Sequence, residues 1–161
     1  MKIRTITIAK KDVFFDVDAA THLFSRANEA QGLPRTDALE SDTDEAFNKN
    51  VVTRFADRQF AELSGRLANF GVTPDPPVTA AGTALSTGSD YELRIRVEDG
   101  FQDELLEVVA EAAEKYVANG AIADWFLASG DAQGTNYANL QSGDLSRIIY
   151  YIVHRKFPAR V

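Results

Sequence analysis

The chain has 161 residues, of which 45% are hydrophobic and 25% charged, enough apolar matter for one domain with a substantial core and too much for a natively disordered chain. Its 17 basic and 24 acidic side chains give a net charge of -7, which disfavours nonspecific binding to nucleic acid or an anionic membrane. Without a single cysteine there is no disulfide framework, thiolate metal site, iron–sulfur cluster or cysteine nucleophile.

Met1-Lys2-Ile3-Arg4 leads into alternating residues rather than the apolar stretch of a signal peptide. The β-branched run Ile3–Ile8 predicts a short strand. Val13, Phe14, Val17, Ala20, Phe24 and Ala27 then recur every three or four residues, predicting an amphipathic helix over 11–30 that stops by Gly32-Leu33-Pro34. The stretch around 31–41 reads as an exposed connector.

Asp42-Thr43-Asp44-Glu45 places capping oxygens and a carboxylate where a helix N-terminus favours them. Phe47, Val51, Phe55, Phe60, Leu63, Leu67 and Phe70 trace one face of the helix that follows, and this is the expected central helix of the core. Gly71 closes it. The stretch around 71–89, rich in proline, glycine and small residues, reads as a second exposed connector, with a possible strand at Pro77-Val78-Thr79-Ala80.

The alternation of Tyr91–Glu98 predicts a strand with one wet face. Phe101, Leu105, Val109, Ala112 and Tyr116 stripe a third helix, which Asn119-Gly120 either ends or kinks; Ile122, Trp125 and Phe126 favour its continuation to about Leu127. Tyr137, Leu140, Leu145, Ile148, Ile149, Ile152 and Val153 predict a last helix over about 135–155, bent at Ser142-Gly143. The fold class is therefore α+β, mainly α: about four helices and a two-stranded antiparallel ribbon in a single domain 1–161, with a short C-terminal tail 157–161.

No residue pattern carries catalysis. His22 and His154 are far apart, and Asp18, one turn before His22, makes a local pair rather than half a metal site. Asp16-Val17-Asp18 resembles a cation-binding acidic pair, but residues two apart on a helix point to different faces. The acids Asp37, Glu40, Asp42, Asp44 and Glu45 lack the spacing and glycine of a calcium loop. Glycines form no phosphate-binding pattern, and the serines have no nucleophile-elbow context. The expectation is no enzyme, no cofactor and no metal.

Two charged features remain as candidate protein interfaces. Glu104, Glu107, Glu111 and Glu114 belong to an acidic block on the third helix that solvation explains and that also suits a basic partner surface. Arg155, Lys156 and Arg160 make the C-terminus basic; cations there oppose the helix dipole, and they also suit hooking onto a neighbour's acidic surface.

The start Met1–Lys10, the central helical domain, and the close Leu145-Ser146-Arg147-Ile148-Ile149-Tyr150-Tyr151 followed by Arg155-Lys156-Phe157-Pro158-Ala159-Arg160 resemble small proteins encoded among the virion genes of prophages in gut Bacteroidetes, some of them Mu-like. The resemblance lies in the order of elements and in the residues of the two ends. It implies a structural or assembly role as a head–tail connector or tail-completion protein. The partners would be other phage structural proteins and copies of the chain in a ring, and the location the bacterial cytoplasm and then the virion. It brings no catalytic residues. The alternative from the residues is a cytoplasmic acidic regulatory or inhibitor module that docks on a basic protein.

Overall fold

The computed structural model describes residues 2–32, 40–75, 90–97 and 99–153. It is α+β and mainly α: strand β1 (Lys2–Ile8), helices α1 (Lys10–Ala30) and α2 (Ala46–Leu67), strands β2 (Val72–Asp75) and β3 (Tyr91–Val97), then helices α3 (Glu104–Ala128) and α4 (Gln133–Val153). β1 and β3 pair antiparallel, from Lys2 opposite Val97 to Ile8 opposite Tyr91. β2 adds to the far side of β3, so the sheet order is β1-β3-β2.

That third strand corrects the reading of 71–89 as an exposed connector from its first residue, because Val72 is buried. Gly71 takes the left-handed conformation at φ 74°, which glycine enters without a Cβ penalty. The chain thereby leaves the 3-10 turn Ala68–Phe70 and runs straight into the sheet, where the Gly71 carbonyl accepts the Arg96 amide at 3.2 Å. Pro74 lies in the strand, which an edge strand tolerates because the missing donor would face away from the ladder. The candidate strand at Pro77–Ala80 lies outside the described residues. The 31–41 connector also departs from expectation at its end: Ser41 is buried, its amide donating to Thr21 Oγ1 at 2.9 Å.

The central helix is α3, not α2. Ala112, Ala113, Ala118, Ala121 and Ala123 are all buried along it, and such small side chains let neighbouring helices approach closely. The main core lies between α2, α3, α4 and the inner sheet face, where Ile6, Ile8, Leu93 and Ile95 meet Phe60, Leu63, Val109 and Ile148. A second cluster around Trp125 and Phe126 packs α3 against Val17 of α1 and Val52 of α2. On α2 the buried stripe is Val52, Ala56, Phe60, Leu63 and Leu67, joined by Asp57, Gln59 and Ser64; the predicted Phe47 stands 70% exposed.

α3 runs through Asn119-Gly120, and α4 through Ser142-Gly143, each as one helix. Gly130, at φ 77°, makes the turn between them, and the Asp131 side chain accepts the Gln133 amide at 2.8 Å to start α4. Helix starts depend on distant residues. Ala9 has no capping side chain, so Asp90, just before β3, accepts the Lys10 amide at 3.0 Å. The expected side-chain cap of α2 is absent at Glu45. Instead Asp42 Oδ1 accepts the Asp44 amide (3.0 Å), and Asp18 Oδ2 accepts both the amide and the hydroxyl of Thr43 at 3.1 and 2.6 Å.

Candidate protein-interaction surfaces

Glu104, Glu107, Glu111 and Glu114 are spaced three, four and three apart, which puts them on one stripe of α3, yet their surroundings differ. Glu104 and Glu107 are exposed in the first turn, where the helix dipole stabilises them. Glu111 is exposed and accepts a 2.8 Å bond from Lys115, which holds its carboxyl below the usual range. Glu114 is half-buried between α3 and α1. Burial, then the nearby carboxylates of Asp12, Asp16 and Glu111, raise its proton affinity. The outward acidic surface is therefore the start of α3, and its far end turns inward. Arg155, Lys156 and Arg160 lie outside the described residues.

Asp16 and Asp18 face different ways, as their spacing on a helix requires. Burial, then Asp12, raises the pKa of Asp16, with Lys115 opposing, whereas Asp18 serves the start of α2. His22 pairs with Glu40, Nδ1 to Oε1 3.5 Å, rather than with Asp18. Among the described residues no group of three or more histidines or acids is placed to hold a metal ion.

Two internal polar clusters escaped the sequence reading because each residue has an ordinary helix or strand context. In the first, Tyr91 Oη donates to Asp57 Oδ1 at 2.6 Å, its ring stacks on Phe60 at 4.7 Å, and Lys10 Nζ sits 4.9 Å from the ring centroid. Burial, then the bond to Asp57, raises the Tyr91 pKa far above its usual value, so the phenol stays a donor. In the second, Gln141 Nε2 donates to Gln59 Oε1 (2.5 Å) and to the Tyr116 carbonyl (3.3 Å), and Gln59 Nε2 donates to Asp124 at 2.8 Å. Arg58 closes on the same Asp124 at 2.6 Å. This cluster ties α2, α3 and α4 together over Gly120. Both are packed donor–acceptor sets of the kind that fix helix register.

One end of the sheet carries the opposite charge to the start of α3. Its outer face shows Ile3 and Thr5 of β1 opposite Arg96 and Arg94 of β3, and at the other end Thr7 opposite Glu92. Arg4 reaches across the sheet end and grips Asp103 with two bonds, 3.0 and 3.1 Å. That pair pins the start of α3 to β1 and separates the basic end of the sheet from the acids beyond it. Periodicity had shown that β3 has a wet face, but the strand pairing is what gathers its arginines beside β1. Several large apolar side chains are left outside the core: Phe15, Leu23 and Phe47 near 70% exposed, and Leu140, Tyr150 and Val153 over half exposed.

No helix among the described residues is long and apolar enough to cross a membrane. No known protein family, curated protein or solved structure matches the chain.

Proposed function

We propose that the chain is a non-enzymatic structural or assembly protein of a phage or prophage particle, of the head–tail connector or tail-completion type, that works by protein–protein contact. The observation that carries the contact role is the exposure of whole aromatic and aliphatic side chains, Phe15 and Leu23 on α1 and Phe47 at the start of α2; burying one such side chain is worth about 1.5–3 kcal/mol, a gain left to a partner. Separation of Arg94 and Arg96 on the outer sheet face from the exposed Glu104 and Glu107 adds a head-to-tail polarity suited to a ring. The resemblance of both chain ends to prophage virion proteins supplies the particle context.

The test is mass spectrometry of purified particles released on induction of the source strain. A low, fixed ratio to the major capsid protein is the expected result; absence from complete, infectious particles of the same locus overturns the reading. Truncation after Phe157 should leave the thermal unfolding midpoint unchanged and reduce incorporation into particles. Unchanged incorporation removes the basic tail from the contact. Glu104 and Glu107 also favour a second reading, an acidic module docking on a basic protein. It predicts a soluble one-to-one complex whose association slows as salt rises.

A further inference from the structure

We propose that the outer edge of β1 is a strand-addition site that takes an extended, acidic segment of a partner protein. The sheet order leaves two edges, and they are built differently. The β2 edge is four residues long and contains Pro74, two of the devices that blunt an edge against pairing. The β1 edge is seven residues long, KIRTITI, without proline or glycine. In an antiparallel pair alternate residues turn their N–H and C=O away from the neighbour. On β1 those groups meet no backbone partner among the described residues.

The strand is held ready for pairing. Ile6 and Ile8 are buried, and Arg4 is clamped to Asp103, so the register of β1 is set before any partner arrives. An incoming strand therefore bears only its own ordering entropy. Beside the edge, Ile3 is 62% exposed and offers an apolar contact on the outer face.

Charge selects the occupant. Lys2, Lys11 and Arg96 are the exposed cations around the edge, Arg96 directly across from Ile3, whereas Arg4 is paired with Asp103, Lys10 is buried over Tyr91, and Glu92 stands across from Thr7, so the basic rim is strongest at the Lys2–Ile3 end. A second copy paired antiparallel would bring the Lys2 end of each strand to the Lys11 end of the other, a like-charge contact. The basic C-terminal residues of the chain are repelled in the same way. A segment alternating β-branched residues with carboxylates satisfies both the backbone edge and the basic rim.

The full-length, isotope-labelled chain would be titrated with two synthetic peptides followed by amide NMR: an alternating Glu/Val peptide and its Lys/Val counterpart. The expected result is shift changes and slowed exchange at Lys2–Ile8, with the Glu peptide bound about tenfold more tightly than the Lys peptide and weakened by salt. Thr5→Pro should abolish binding. Since proline could unfold the strand, Arg96→Glu, which leaves the backbone edge intact and Lys2 and Lys11 in place, should narrow the preference for the Glu peptide by several-fold. Equal affinity, no binding, or shifts confined to other elements overturn the proposal. So does slow exchange of the outward β1 amides before any peptide is added, whether in a monomer, where another segment of the chain covers the edge, or in a concentration-dependent dimer, where a second copy does.

Discussion

Replacing Gly120 with alanine tests the polar cluster that joins three helices. In an ordinary helix interior the change stabilises by about 1 kcal/mol, because alanine is the better helix former. At Gly120 a Cβ would lie 2.5 Å from Gln59 Cδ and 2.6 Å from its Oε1, and would also overlap the Gln141 amide. Gln59 cannot step aside freely, being buried and bonded to both Gln141 and Asp124. Displacing the two amides forfeits three hydrogen bonds at about 1 kcal/mol each, so the net change is a loss of about 2 kcal/mol. With a urea slope of about 2 kcal/mol/M the midpoint should fall by about 1 M. Gly65 and Gly143 are helical glycines with open space where a Cβ would go, so Gly65→Ala and Gly143→Ala should raise the midpoint. Removing Gln141 first should recover more than half of the Gly120→Ala cost. A Gly120→Ala midpoint that rises with the two controls would refute the cluster as a packed constraint.

Tyr91→Phe keeps the ring on Phe60 but leaves the buried Asp57 without its phenol donor; it should cost about 1.5–3 kcal/mol in chemical unfolding, and much less in an Asp57→Ala background. Asp16→Asn should stabilise at pH 7 by about 0.5 kcal/mol, a value limited by solvent screening, because burial and Asp12 raise the Asp16 pKa in the fold. The sign follows from that raised value: the protonated form favours the fold fully below about pH 4, and this is lost as pH rises through the folded pKa. The gain from asparagine should therefore be absent at about pH 3 and complete at neutrality, as read from thermal midpoints across that range.

The elements legible in the sequence were those with a long, regular signal. β1 is marked by its β-branched run and β3 by alternation, α1 and α3 by stripes that the core uses, and the antiparallel pairing of the two strands follows. β2 was hidden because four residues holding a proline sit inside a run of glycines and prolines, and what makes them a strand is the Gly71 turn and the ladder to β3. The large apolar residues of α2 point to it as the centre, but size does not mark the centre of this fold. Phe47 stands outside, whereas the centre belongs to the alanines of α3, whose small size gives a weak sequence signal and a close approach. Helix starts are legible only in part for a related reason: Asp42 is a local acceptor before α2, but Asp18 and, for α1, Asp90 come from elsewhere in the chain. Of the acidic stripe, Glu104 and Glu107 face outward, but only the packing of α1 against α3 reveals that Glu114 turns inward toward Asp12 and Asp16.

Synthesis order gives the pairing of β1 with β3 a cost in time. β1 is made before β3, and among the described residues it finds its ladder partner roughly ninety residues later, which at ribosomal speeds of about 5–20 residues per second is a wait of about 5–20 s. Throughout that interval Ile3, Ile6 and Ile8 are displayed on a strand with both edges open, followed by a helix whose start lacks Asp90. A nascent chain of this kind gives a holding chaperone a hydrophobic handle at Ile3–Ile8. Slowing elongation between Ile8 and Tyr91 should lower the yield of folded protein more than slowing it after Val97.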